Sequence, residues 1–102
     1  MAKQRVYVYK DEGFIDTYRV YPPVTILHKQ DDIELVNYAD AEARWEVRAG
    51  VLGDDPVDER VDPGKTKTKK AMKDGPLVAE YKVHVDGKRA HAQSDPVIII
   101  DP

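Results

Sequence analysis

The chain has 102 residues, of which 34% are charged and 41% hydrophobic, and its formal net charge is −3. This length predicts one domain covering residues 1–102, and the acidic balance argues against nucleic-acid binding, which needs a basic excess. The absence of cysteine excludes disulfides, thiolate metal sites and thiol catalysis. The longest apolar run, Val97 to Ile100, is too short to span a membrane. The first residues contain no apolar run of signal-peptide length, so we expect a soluble chain of unspecified compartment.

Short strand patterns fill the first half of the chain. Residues 44–49 alternate strictly, with Trp45 and Val47 on one predicted face and charged residues on the other, which is typical of a half-buried strand. The segment from Tyr38 to Arg44 is the only helix candidate, and it is too short to be stable alone, so we predict a loop or single turn there. Further strands are predicted within residues 6–9, 17–21, 24–28 and 33–38.

The second half continues this pattern with clear turn signals. A short strand is predicted at residues 57–61, and the Asp62-Pro63-Gly64-Lys65 sequence that follows is typical of a tight turn. Alternating lysine and threonine at residues 65–69 predict an edge strand protected by charge. Residues 78–85 alternate with Ala79, Tyr81, Val83 and Val85 inward, and Asp86-Gly87 predicts a two-residue hairpin. The apolar residues 97–100 predict a final strand buried on both faces.

Three segments together resemble the cupredoxins. Residues 24–37 are similar to two strands of that family, the second ending in asparagine, here Asn37. The Pro63-Gly64 turn resembles their Pro-Gly turn. Gly75 followed by residues 81–85 resembles their Gly-x-Tyr-x-(aromatic)-x-Cys strand, with a longer spacing after the glycine. The resemblance covers roughly residues 24–100 and implies a Greek-key β-sandwich.

The resemblance also implies that the copper ligands are missing. Trp45 is the nearest match to the first histidine, Val85 falls at the thiolate position, and the second histidine would fall near Lys88 or Arg89. No methionine follows these positions. Because a blue-copper site needs two imidazoles and one thiolate, we expect no cofactor and no electron-transfer activity.

The fold that we predict is therefore all-β: a Greek-key β-sandwich, cupredoxin-like, with an immunoglobulin-like sandwich as the alternative. Fold alone does not determine function. The predicted core consists of Val6 or Val8, Ile26, Leu35, Trp45, Val47, Tyr81, Val83, Val85, Ile98 and Ile100.

Tyrosines are concentrated at the start of the chain. The first two predicted strands each carry a pair, Tyr7 with Tyr9 and Tyr18 with Tyr21, and we expect each pair to share one strand face. With Val6 and Val8 in the core, Tyr7 and Tyr9 would point outward. Exposed tyrosines favour a protein interface, where this residue is enriched. Plain surface packing and a carbohydrate-stacking surface are the alternatives.

Opposite charges are grouped on either side of the Pro63-Gly64 turn. An acidic block containing Asp58 and Glu59 precedes it, and a lysine block containing Lys65, Lys67 and Lys69 follows it. We expect the turn to fold one block onto the other, so that they neutralise each other across a hairpin. Contact between an acidic edge and a basic edge of two subunits is the second interpretation, and phosphate binding is the third.

Metal and catalytic signals are weak. The Asp86-Gly87 turn would place His84 opposite Arg89 and His91 on a diagonal, within about 7 Å, where two imidazoles could hold a divalent metal weakly. Solvated histidines beside basic residues are the favoured interpretation. The sequence contains no nucleophile elbow, glycine-rich phosphate loop or His-Glu-x-x-His motif, so we expect no enzyme.

The functional hypothesis is a non-enzymatic protein-interaction or assembly module, with a protein partner or a second copy of itself. The candidate interface residues are Tyr7, Tyr9, Tyr18, Tyr21, Lys65, Lys67, Lys69, Asp58 and Glu59. The alternative is a ligand-binding module that takes a carbohydrate or, through His84 and His91, a weakly held divalent metal.

Overall fold

A computed structural model describes residues 2–13, 17–92 and 95–102. Within these ranges the chain forms strands and turns and no helix, including at residues 38–42. The all-β prediction is therefore confirmed. The strands are β1 (Lys3–Lys10), β2 (Tyr18–Tyr21), β3 (Val24–Leu27), β4 (Asp32–Asn37), β5 (Ala43–Val47), β6 (Val57–Val61), β7 (Thr66–Lys70), β8 (Leu77–Glu80), β9 (Lys82–Val85), β10 (Lys88–Arg89) and β11 (Val97–Ile100).

The strands form a two-layer sandwich. The first layer has the order β2-β1-β4-β7. The second consists of two sheets, β10-β9-β5-β6 and β3-β11-β8, which are joined because β8 and β9 are consecutive strands interrupted only at Tyr81. β1 pairs with β4 in parallel and β11 pairs with β3 in parallel, while the other ladders are antiparallel.

Turn chemistry decides where the chain changes layer. Pro22 and Pro23 separate β2 in the first layer from β3 in the second. Proline has no N–H to donate to a ladder, so the strand cannot continue in the same sheet. Gly64, with a φ of 79°, follows β6, and the Lys65 N–H donates to the Asp62 carbonyl at 3.0 Å. The predicted turn is confirmed, and it leads from the second layer back to the first.

The core matches the sequence pattern closely. Both Val6 and Val8 are buried, and the alternation predicted for residues 78–85 holds along β8 and β9. Ile26 is the exception: it is 52% exposed, whereas Thr25 and Leu27 are buried. The prediction for Ile26 was wrong because β3 turns its even-numbered residues outward and buries a threonine instead. The other predicted core residues, all buried, are Leu35, Trp45, Val47, Tyr81, Val83, Val85, Ile98 and Ile100.

Tyr81 gives the core a buried hydroxyl without a partner. Burial raises the pKa of Tyr81, and the nearby hydroxyl of Thr25 opposes that rise. Neither hydroxyl has a hydrogen bond of normal geometry to a described residue. An unpaired buried polar group costs about 1–3 kcal/mol, so Tyr81 is held by packing and not by its oxygen.

Tyr81→Phe is therefore expected to leave the free energy of unfolding unchanged or to raise it by about 1 kcal/mol. Urea denaturation followed by circular dichroism measures this. Tyr18→Phe is the matched control, because the Tyr18 hydroxyl donates to Asp40 Oδ1 at 2.8 Å, and its loss should lower stability by about 0.5–1.5 kcal/mol. A larger loss of unfolding free energy for Tyr81→Phe than for Tyr18→Phe would contradict the assignment of the Tyr81 hydroxyl as unpaired.

Candidate functional site

The outward side of the first layer carries four tyrosines, which we call the tyrosine face: Tyr7, Tyr9, Tyr21 and Tyr38. Tyr7 and Tyr21 are directly opposite across β1 and β2, so their side chains leave the same side of the sheet. The Tyr38 ring stacks on the Tyr7 ring with centroids 5.7 Å apart and planes 9° apart. Tyr21 is 59% exposed and Tyr38 66% exposed, so aromatic surface is open to a partner.

Tyr18 does not belong to this face. It is buried in the core, and its hydroxyl donates to Asp40 Oδ1, which raises the pKa of Tyr18. The expectation that Tyr18 and Tyr21 share a face was wrong, because residues three apart in a strand point to opposite sides. Tyr18 was expected on the tyrosine face, and the fourth tyrosine of that face is Tyr38 instead. It directly follows β4, and its N–H donates to the Val8 carbonyl at 2.7 Å.

Ion pairs border the tyrosine face. Beside Tyr7, Arg5 Nε lies 3.1 Å from Glu34 Oε1, and Lys3 and Thr68 also donate to Glu34. These donors, with Arg5 the strongest, hold the pKa of Glu34 below its usual range. Arg5 and Lys3 share the single carboxylate of Glu34. This border of the aromatic surface therefore carries a small excess of positive charge.

The charged blocks around the Pro63-Gly64 turn largely satisfy each other within the chain. Lys69 Nζ lies 2.8 Å from Glu59 Oε1, and Lys67 Nζ lies 3.5 Å from Glu59 Oε2. Asp58 instead receives two bonds of 2.9 Å from Arg44 across β5 and β6. The acidic block and the lysine block do not meet across a hairpin ladder as expected, because β6 and β7 lie in different layers. Lys65 is exposed.

The structure does not group the histidines. His84 is opposite Arg89, as predicted, and its Nδ1 lies 3.9 Å from Glu46 Oε1 on the outside of the second layer. His91 lies beside Arg19 of β2 in the first layer. Among residues 2–13, 17–92 and 95–102, no three His, Asp or Glu side chains are arranged to hold a metal ion. In the same ranges, no helix is long and apolar enough to cross a membrane.

The positions that the resemblance assigns to copper ligands hold other chemistry. Val85 is fully buried in β9 and pairs with the equally buried Ala43 of β5. Trp45 is fully buried two residues further along β5. Lys88 and Arg89 are exposed on β10. The interior at the expected copper position is therefore filled by apolar side chains, and Lys88 and Arg89 lie on the surface.

Comparison with solved structures identifies the architecture. A reduced-state mutant of amicyanin matches with a TM-score of 0.59 and 14% identity, and the Cu(I) form of another amicyanin mutant matches with a TM-score of 0.57 and 16% identity. Each match covers 93% of this chain and 80% of that chain. No protein-family model matches the sequence, and a search of curated proteins finds no relative. The chain therefore has a cupredoxin-like fold, and the described residues contain no evident copper site.

Adding Cu(II) or Cu(I) is expected to leave the melting temperature unchanged and to produce no intense visible absorption band. A ligand that binds only the folded state raises the melting temperature, and Val85 and Ala43 offer no ligand atom. Zn(II) should behave in the same way. A copper-dependent rise that disappears in His84→Ala or His91→Ala would contradict this expectation and restore the two histidines as a site.

Proposed function

We propose that the protein is a non-enzymatic interaction module that binds another protein through the tyrosine face. The observation that carries this proposal is the set of four outward tyrosines on one sheet face, two of them more than half exposed. Tyrosine combines a large apolar ring with a polar hydroxyl, which suits a surface that is wet when free and buried when bound. The cupredoxin-like sandwich serves here as a rigid scaffold.

The second layer supplies an additional apolar surface. The outward residues of β3 and β8 include Val24, Ile26 and Val78, which are 44–65% exposed. Half-buried Val97 and Ile99 lie between them on β11. Five aliphatic side chains on one exposed sheet face are consistent with a module that is partly covered in its working state. The tyrosine face remains the primary candidate because it combines apolar area with hydrogen-bonding groups.

Affinity capture with matched variants tests the proposal. The purified chain is immobilised and exposed to an extract of its native cells, and bound proteins are quantified by mass spectrometry. The double variant Tyr21→Ser with Tyr38→Ser should lose the specifically retained protein. The double variant Lys82→Ser with Arg60→Ser, which removes exposed groups from the second layer, should retain it. Equal retention by the two double variants would overturn the tyrosine face as the binding surface.

Light scattering after size-exclusion chromatography tests whether the partner is a second copy. A dimer formed through the tyrosine face should dissociate in the tyrosine double variant. It should persist at high salt, because salt screens charges and the tyrosine rings that would form the contact are uncharged. Alternatively, high salt could dissociate the dimer while the tyrosine double variant leaves it intact. That result would assign self-association to the edges that carry Asp58, Glu59 and the lysine block.

A further inference from the structure

A cleft of about 310 Å³ opens along one border of the tyrosine face. Tyr9 and Tyr21 line it from adjacent strands, with Arg19 directly opposite Tyr9 in the ladder. Pro23 lines it at the corner where the chain leaves the first layer, and His91 lines it from the strand bridge beside Arg19. The cleft is therefore bounded by two aromatic rings, a proline and two nitrogen-rich side chains.

Hydrogen-bond donors dominate this cleft. Arg19 uses Nε to donate to Asp11 Oδ2 at 3.1 Å, and among the described residues its terminal amino groups have no partner. The hydroxyls of Tyr9 and Tyr21 and the ring of His91 can each donate and also accept, whereas Arg19 only donates. No carboxylate or side-chain amide lies among the described residues that line the cleft. A matching ligand therefore offers acceptors to Arg19 and to the two tyrosine hydroxyls.

The charge of the cleft is close to neutral. The Arg19 guanidinium is paired with Asp11, whose pKa is lowered first by the Gly13 N–H and then by Arg19. Because Asp11 offsets the charge of Arg19, a strongly acidic ligand gains little net attraction in this cleft. An uncharged ligand can still use the aromatic rings and the terminal amino groups of Arg19.

We propose that the cleft binds a proline-rich peptide in the polyproline II conformation. Such a segment exposes backbone carbonyls and has no proline N–H to satisfy, and its flat rings pack against aromatic side chains. We favour the peptide over carbohydrate because each peptide carbonyl can accept from Arg19 or a tyrosine hydroxyl, whereas each sugar hydroxyl also brings a donor that needs a partner. This inference rests on the proposed function and names the kind of partner segment that the tyrosine face would recognise.

Calorimetric titration with blocked decaproline tests the inference. We expect the unaltered chain to bind decaproline saturably. We expect it not to bind a blocked Gly-Ser decapeptide of the same length. The double variant Tyr9→Ser with Tyr21→Ser should bind decaproline roughly tenfold more weakly or worse, as hot-spot tyrosines do. Tyr21→Phe, which keeps the ring and loses the donor, should show a smaller loss. Tyr38→Ser, on the same face and outside the cleft, should bind like the unaltered chain. An unchanged melting temperature verifies that each variant is folded.

Three outcomes would overturn the inference: no decaproline binding, binding that the Tyr9 and Tyr21 changes leave unaltered, or binding of cellohexaose in its place. The last would assign the cleft to carbohydrate. These failures differ from a failure of the proposed function. If capture of the native partner still depends on Tyr21 and Tyr38 while decaproline does not bind, the tyrosine face binds a protein segment of other chemistry.

Discussion

Trp45→Ala is expected to lower the free energy of unfolding by about 3–5 kcal/mol, the range for a large aromatic removed from a core. Trp45 is fully buried at the centre of β5, with Val83 opposite it on β9 and Glu59 opposite it on β6. The indole lies between the two layers, so its loss leaves a cavity that rigid strands on both sides cannot close. Because small domains have only about 5–15 kcal/mol of stability, this change approaches the limit for folding.

Urea denaturation measures the Trp45 effect, with the slope of the transition verifying that the same surface is exposed. Ile26→Ala is the matched control, because it also removes an apolar side chain from a strand but at a position that is half exposed. We expect it to lower the free energy of unfolding by less than about 1 kcal/mol. A loss for Trp45→Ala no larger than that of the control would mean that the indole is not the centre of the core.

Asn37→Ala is expected to destabilise the fold by about 2–4 kcal/mol through the loss of buried hydrogen bonds. Asn37 is completely buried at the end of β4. Its Nδ2 donates to the carbonyls of Ala41 and Val61 at 2.9 and 2.8 Å, and its Oδ1 accepts from the Ala39 N–H at 2.8 Å. One side chain therefore joins the loop after β4 to the end of β6, and alanine would remove the partner of two buried backbone groups and one half-buried carbonyl.

Asn37→Asp separates the two parts of this network. An ionised carboxylate can still accept from Ala39, but it cannot donate to Ala41 and Val61, and its charge would face two carbonyl oxygens. We expect it to destabilise the chain at neutral pH at least as much as alanine does. Thermal and urea unfolding of both variants measure the difference. A loss below about 1 kcal/mol for both would show that the backbone bonds around the Pro63-Gly64 turn hold this end of the sandwich without Asn37.

The strand content could be predicted because its signals are local. Residues 78–85 alternate strictly, and Asp86-Gly87 forms the expected turn, with positive φ at both positions. The assignment of faces failed where that signal is ambiguous. In β3 apolar residues occupy both faces, so the pattern does not decide which face is buried; Ile26 was predicted to be inside, whereas the structure buries Thr25 and Leu27. Only the position of β3 beside β11 determines which face is covered.

The candidate site depends on contacts that are distant in sequence. The stacking of Tyr38 on Tyr7 follows from the parallel pairing of β1 with β4, which no local pattern indicates. The cleft likewise unites β1, β2 and residue 91, which are brought together only by the fold. The error at Tyr18 was avoidable, since its separation of three residues from Tyr21 places the two on opposite strand faces.

Photo-cross-linking from defined positions tests the central claim, that the tyrosine face contacts a protein, most directly. A benzoylphenylalanine replaces Tyr38 in one preparation and Lys82, exposed on the opposite layer, in another. Irradiation in an extract of the native cells should give a discrete adduct of higher mass from position 38 and none from position 82. Adducts from position 82 alone, or identical adducts from both positions, would contradict the claim and place the contact elsewhere on the sandwich.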